Sequence, residues 1–264
     1  MSDQPPASRP PLDHPQAPKV PPKVLGREPR VALPKRFYKA ATFEQRPRGW
    51  AILLDGRAVK TPGRSDLILP GRELAQAVAA EWSARHTVID PALMPLTRLA
   101  NTALDLVRGR ESEIIAQISA YATSDLLLYR AADQQALIEA QAQAWDPVIG
   151  WAHETFGVVF AVAKGIMPVT QQPETAANIG AGLARDDAFA LCALHNITTL
   201  TGSALLALAI ACGRLSPQDA WNCAHIDEDF QIARWGEDDQ ARLRRAHRWD
   251  QMQNASRLLA LSTS

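Results

Sequence analysis

The sequence predicts an α+β fold: a small N-terminal antiparallel sheet with helices, followed by a larger all-helical C-terminal domain. Three observations carry this. Asp55-Gly56 stands between the runs Trp50 to Leu54 and Arg57 to Thr61, a strong hairpin signal because both central residues must accept positive φ. From Glu73 onward apolar residues recur at helical spacing instead of alternating. The apolar share, 47% of 264 residues, is ample for a core in one large domain or two smaller ones.

Residues 1–33 hold nine of the chain's 19 prolines and few large apolar residues, so a disordered proline-rich head is expected. An N-terminal domain over 34–108 and a helical domain over 109–260 follow. Arg36 to Phe43 is rich in aromatic residues and reads as a strand. Pro62-Gly63 turns the chain, and Leu67 to Leu69 is a further short strand. A helix over Glu73 to Arg85 places Leu74, Ala75, Val78, Ala79 and Trp82 on one side. A second, Leu96 to Val107, sets Leu96, Leu99, Ala100, Ala103, Leu104 and Val107 in one stripe, and the two helices can cover the sheet. Thr97, Asn101 and Asp105 line another face with Arg98 beside them, and the line Arg98, Asn101, Asp105 reads as a buried hydrogen-bond network tying the two parts together. Ile114, Ile115, Ile118 and Tyr121 define the next helix, and Ser124-Asp125 introduces Leu126 to Tyr129. Leu137, Ile138, Gln141 and Trp145 define another, which Asp146-Pro147 restarts through Trp151. Val158 to Val169 is β-rich, broken at Lys164-Gly165, and reads as a hairpin. Helices then span about 173–184, 187–194, 200–212, 217–235 and 238–259. Trp82, Trp145 and Trp151 are expected as core anchors.

Charge and motifs exclude several functions. With 28 basic and 28 acidic residues, long-range attraction to nucleic acid or to anionic membrane is not expected. The most apolar run, Ala204 to Cys212, is too short to span a bilayer. Cys192, Cys212 and Cys223 form no metal-ligand spacing and read as reduced thiols. The first thirty residues show no apolar signal core, and their prolines, with Asp3 and Asp13, make a poor mitochondrial presequence. A bacterial cytoplasmic protein is expected, or a mitochondrial matrix one in a eukaryote. No P-loop, G-x-G-x-x-G or G-x-S-x-G occurs. His153-Glu154 opens like a zinc-protease helix, but Gly157 stands where the second histidine would have to be. No cofactor or metal is implied. The basic run Arg242, Arg244, Arg245, His247, Arg248 follows the acidic set Glu237, Asp238, Asp239, so internal pairing accounts for both.

The most informative stretch is Ser216 to Asp239. Ser216, Pro217 and Asp219 form a helix start. At about 100° per residue the following turns show two apolar arcs. One holds Cys223, Ile226, Phe230 and Ala233; the other holds Trp221, Ala224, Ile232 and Trp235. Glu228 falls inside the second arc, seven residues from each tryptophan. A carboxylate there is costly to bury without a partner. Either an internal partner such as an arginine pairs with it, or the face docks another molecule through aromatic anchors around one charge. His225 with Asp227, Glu228 and Asp229 leaves a third reading, a small-molecule enzyme. In that case a concave pocket around His225, Glu228 and Arg98 is expected. Peptide binding through the proline-rich head is a fourth.

Several stretches together resemble one family: P-L-T-R-L-A-N-T-A-L-D from Pro95, T-S-D-L-L-L-Y-R from Thr123, W-D-P from Trp145, T-L-T-G-S-A-L-L from Thr199, and D-E-D-F-Q with W-G-E-D from Asp227 to Asp238. The chain resembles the F1-ATPase assembly chaperones that escort the alpha subunit, over about Lys35 to Leu259, with the proline-rich head in place of a presequence. The resemblance implies a two-part fold and a non-enzymatic role. Such a chaperone, expected as a monomer, holds the unassembled alpha subunit and prevents its aggregation until the beta subunit replaces it. The family's acidic helix carries over onto Asp227, Glu228, Phe230, Trp235, Gly236 and Glu237. The arc reading adds Trp221 and puts Glu228 at the centre. Trp82, Arg98, Asn101, Asp105, Asp125 and Trp145 are then structural.

Overall fold

The computed structural model describes residues 33–84, 87–165, 167–184 and 186–262; the head expected over 1–33 therefore lies, apart from Leu33, outside the described residues. The sheet is built on β1 (Ala41–Arg46) and β2 (Gly49–Leu54), antiparallel from Ala41↔Leu54 to Arg46↔Gly49. Gly49 is required at the turn: its φ is +135°, and a Cβ there would lie 2.3 Å from the Leu69 carbonyl oxygen. Asp55 (φ 47°) and Gly56 (φ 81°) form the expected hairpin into β3 (Arg57–Ala58). β4 (Ile68–Leu69) also pairs with β2, leaving β1 at the edge. The strand expected from Arg36 starts only at Ala41. Before it, Lys35 makes an isolated antiparallel bridge with Val88, and polar anchors hold the rest: Asp55 accepts from the Lys39 and Ala40 amides, and the Arg36 guanidinium donates to the carbonyls of Tyr38, Lys39 and Ala84.

Helix α1 (Arg72–Ser83) buries Leu74, Ala75, Val78 and Ala79, as its spacing predicts, into the cluster that holds Ile52, Leu67 and Leu69. Trp82 is partly buried against Tyr38, whose hydroxyl donates to the Trp82 carbonyl at 2.7 Å. α2 (Pro95–Thr102) has no capping side chain at its own N-cap. Glu81 of α1 supplies the cap, accepting from the Leu96 and Thr97 amides at 2.8 Å each. The predicted single helix to Val107 changes pitch at Ala103–Val107, which forms a π turn. That wider turn takes Asp105 off the line of Arg98 and Asn101. The expected three-residue network is not formed. Asp105 instead accepts from Thr61 Oγ1 (2.6 Å) and the Gly63 amide (2.8 Å), clasping the β3–β4 loop. Arg98 is exposed, and the buried Asn101 Oδ1 has no hydrogen-bond partner among the described residues.

The helical part comprises α3 (Glu111–Thr123), α4 (Gln135–Phe156), α5 (Glu174–Leu183), α6 (Ala188–Thr201), α7 (Ala204–Ala211), α8 (Pro217–Ala224), α9 (Ile226–Trp235) and α10 (Asp239–Ser262). Two expectations are corrected. Pro147 does not restart a helix but lies inside α4. A proline forfeits one amide bond, while Trp145 and Val148 stay buried on either side of it and hold both halves to one core. The segment 158–169 is not a hairpin: its β6 (Ala163–Lys164) pairs in parallel with β5 (Tyr129–Arg130). Pro34–Ser264 form one compact unit. One buried cluster runs from Ile52 of the sheet through α6 and α7, which are apolar on nearly all sides, to Leu258 of α10.

Two of the quoted stretches meet in this core. Asp125, fully buried, accepts from the Leu127 amide and from the Leu205 amide at 3.0 Å, 80 residues away in sequence. Trp145, fully buried, donates through Nε1 to the Cys223 carbonyl at 2.8 Å. Arg130 lies 5.0 Å over its ring and pairs with Asp146 at 2.6 Å. All three cysteines are free, and burial pushes the Cys192 thiol up to about 12.

Candidate client-binding surface

Ser216 caps α8 as its sequence predicts, accepting from the Asp219 amide at 3.1 Å, with Pro217 at the first position. The helix does not continue to Trp235. It breaks at His225 (φ −117°, ψ 15°) and restarts as α9. His225 Nδ1 lies 2.7 Å from the Trp221 carbonyl. A carbonyl only accepts, so Nδ1 carries the proton and satisfies one of the free C=O groups at the end of α8. Burial holds His225 below the ordinary histidine range. α9 then opens with Asp227, Glu228 and Asp229 in its first turn, where the helix dipole favours negative charge.

The break undoes the two arcs. Trp221 is 4% exposed, its ring 3.9 Å from His225 and 5.4 Å from Trp249. It belongs to the core, which corrects the expectation that it faces a partner. Trp235 is 81% exposed. Between them Glu228 keeps 40% of its side chain exposed, and its carboxylate lies 3.8 Å from His225 Nε2. Among the described residues no arginine forms an ion pair with it, although Arg245 on α10 feels its charge. The neutral His225 tautomer offers that carboxylate a lone pair rather than a proton, so Glu228 is left available.

The other members of the acidic helix divide into anchors and exposed groups. Asp227 accepts from Gln141 Nε2 of α4 at 2.6 Å, and Gln141 itself is fixed by the Ala131 amide. Asp229 pairs with Arg245 of α10. Phe230 is half-buried beneath the Arg234 guanidinium (5.1 Å), which donates to Gln134 at 3.1 Å. None of the residues of α9 is buried. Gly236 (φ 85°, ψ 169°) stops the helix in a region open essentially to glycine alone. Glu237 and Asp239 both bear on Arg242, and Arg248 donates to the Leu200 carbonyl, so these members of the basic run have internal partners. Gln134 and Gln141 hold α9 in place, yet helical periodicity carries no mark of them, because their partners lie 100 and 86 residues away.

A hollow of about 250 Å³ beside this surface is lined by Trp221, Glu237, Arg242, Arg245 and Trp249, not by His225 or Glu228. Arg98 opens on a separate groove with Asn196 and Asp250. His225, Glu228 and Arg98 are therefore not brought together. Among the described residues no cluster of histidine, cysteine and carboxylate groups could hold a metal ion, and no helix is long and apolar enough to cross a membrane.

This fold, a four-stranded antiparallel sheet carried on a helical body, superimposes on solved structures. Atp12 from Paracoccus denitrificans superimposes with a TM-score of 0.83 and 40% sequence identity, covering 87% of this chain and 98% of that one. A point mutant of the same Paracoccus protein gives the same values. A chaperone candidate from Agrobacterium tumefaciens is 42% identical with a TM-score of 0.83, covering 88% of this chain and 87% of that one. The family model described as ATP12 chaperone protein matches residues 35–153. The chain belongs to the ATP12 chaperone family.

Proposed function

We propose that this protein is an assembly chaperone of the F1 sector of ATP synthase, which holds the unassembled alpha subunit through α9 and yields it when the beta subunit arrives. Family membership supports a chaperone role. The observation that carries the site is the 81% exposed Trp235 on a helix with no buried residue, one face of which keeps Glu228 free. An exposed indole beside a charge is a recurrent anchor in protein recognition, and an unassembled ring subunit presents apolar patches and strand edges that need cover. The affinity has to be moderate, so that beta displaces the chaperone. The protein acts as a monomer, in the cytoplasm of a bacterium.

Glu228→Lys and Trp235→Ala are expected to abolish capture of the alpha subunit in a pull-down while circular dichroism stays unchanged. A folded Glu228→Lys protein that captures alpha with full affinity would overturn the site. If the variant unfolds, Glu228 is a structural partner of His225 and not a client contact. The enzyme reading draws on His225 and its carboxylates; Arg98 lines a groove that none of them enters, which speaks against it. Deleting residues 1–33 is expected to leave capture intact; loss of capture would favour binding through the proline-rich head.

A further inference from the structure

The sheet has one side on which backbone hydrogen bonding stops. In an antiparallel pair, opposite residues alternate between exchanging both N–H···O=C bonds and exchanging none. The Asp55 amide donates to the Ala40 carbonyl at 3.0 Å, so in steps of two the bonded pairs are Thr42–Leu53, Glu44–Ala51 and Arg46–Gly49. β2 obeys the same parity. Its Ile52 turns the other way, donating to the Leu67 carbonyl at 3.4 Å and accepting from the Val59 amide at 2.9 Å. The amides and carbonyls of Phe43 and Gln45 therefore point away from β2, and among the described residues none of them has a partner. One residue earlier in this outward row, the Ala41 carbonyl is met by Ser83 Oγ at 3.3 Å.

Sheet edges are commonly blunted by a proline, a bulge or a covering segment. β1 has no proline, pairs with β2 without interruption, and leaves Thr42, Gln45 and Arg46 exposed. Glu44 and Arg46 pair with each other on the face opposite Phe43. Phe43 lies 5.7 Å from Trp50 and is partly buried against the core. This row sets what an occupant must be. It has to be extended backbone, with an apolar side chain opposite Phe43, a cation opposite Glu44 and an anion opposite Arg46. A second copy of the chain does not match: pairing Phe43 with Gln45 in both directions sets Glu44 of one copy against Glu44 of the other, and like charges directly opposite destabilise.

We infer that β1 receives a strand of the client, which extends the sheet by antiparallel pairing with Phe43 and Gln45. This rests on the client-holding reading above, in which an unassembled subunit has strand edges to be covered, and it adds a second point of attachment, on the sheet. Two attached sites raise avidity without a tighter single contact.

The full chain is titrated with fluorescent acetyl-Glu-Val-Lys-Val-Thr-amide, whose valines lie opposite Gln45 and Phe43. The same peptide is N-methylated either at both valines, whose amides face β1, or at the glutamate and lysine, whose amides face away. Capture of the alpha subunit and the sedimentation coefficient are measured in parallel. The parent and the glutamate/lysine-methylated peptide are expected to bind alike. The valine-methylated one is expected to bind about tenfold more weakly or worse, the order of two lost hydrogen bonds. Gln45→Pro keeps the bonds to β2, since the amide it removes is an outward one. It is expected to lose peptide binding and about tenfold of alpha capture, while Gln45→Ala keeps both. The methylated peptides test the same geometry on the unaltered protein. Glu228→Lys is expected to leave peptide binding unchanged. Equal binding of the two methylated peptides, no binding of the parent, or a Gln45→Pro protein that still binds it overturns the edge. A dimer that Gln45→Pro dissolves assigns the edge to a second copy, and peptide binding that appears only after deletion of residues 1–33 assigns it to the head; either overturns the client strand. If Gln45→Pro captures alpha fully and Glu228→Lys does not, the edge fails and the α9 reading stands. If the wild type does not capture alpha but the peptides keep the methylation pattern, the alpha-subunit reading fails and the edge's chemistry stands.

Discussion

At the scale of single residues, Asp125 shows what the core demands. Its carboxyl is pushed up to about 6, first by burial, against the hydrogen bonds from Leu205, Ser203 and Leu127 that favour its charge. The folded value lies above the unfolded one, so the stability Asp125 contributes is fully present below the ordinary aspartate value and is lost as pH rises through about 6. The unfolding free energy of the wild type minus that of Asp125→Asn should therefore grow by about 2–3 kcal/mol between pH 7 and pH 4. Urea melts of the two proteins at each pH measure it; a gap that does not change with pH would mean the carboxyl ionises normally. Trp145→Ala should cost about 3–5 kcal/mol and Trp145→Phe less, since the phenyl ring keeps most of the contact and loses only the bond to Cys223. At this scale the sequence was informative about type and blind to partner. Ser124-Asp125 reads as a start signal, but no local pattern shows that its second oxygen reaches Leu205. Glu228 stood out because a carboxylate among indoles is costly, yet exposure relieves it, since the break at His225 takes Trp221 out of a helical register that sequence alone assumes to be continuous.

Among elements, α9 is the least secured helix. Polar links from Asp227 to Gln141 and from Arg234 to Gln134 hold it to α4, and it has no buried residue. Its amides should exchange with deuterium by local opening, far faster than those of the enclosed α6; exchange as slow as in α6 would contradict this. Gly236→Ala forces a Cβ into backbone space that side chains avoid and should cost about 1–3 kcal/mol. Because the strain falls at the C-terminus of a weakly held helix, it is expected to re-aim Trp235 and weaken alpha capture more than it lowers the melting temperature. Most helices were visible from apolar spacing, since burial on one side repeats every turn. The break at His225 was not, because apolar residues continue through it in phase. The hairpin expected at 158–169 failed for a related reason: β-branched residues mark extended chain but do not name its neighbour, and here that neighbour is β5.

For the whole molecule, the fold class was legible because hairpin and helix signals occupy separate stretches of the chain. The joining of sheet to helices was not, since Asp105 acts from a π turn that no sequence pattern announced. Asp105→Ala should destabilise by about 2–3 kcal/mol, as two donors to a carboxylate lose their acceptor. The two-domain division at residue 108 predicts separable unfolding, whereas one apolar cluster spans both parts. Tryptophan fluorescence and circular dichroism should follow a single urea transition, and two resolved transitions would restore independent domains.

The interruption of the helix at His225 separates an enclosed half of this stretch from an exposed one. Because Trp221 stays inside with its ring 3.9 Å from the tilted imidazole, the segment beyond leaves the core and is tied back to it by side-chain links from Asp227 and Arg234 to α4 and from Asp229 to α10. The interior is thus closed before α9 begins, so a substitution on the exposed side of α9 is expected to leave the buried cluster undisturbed.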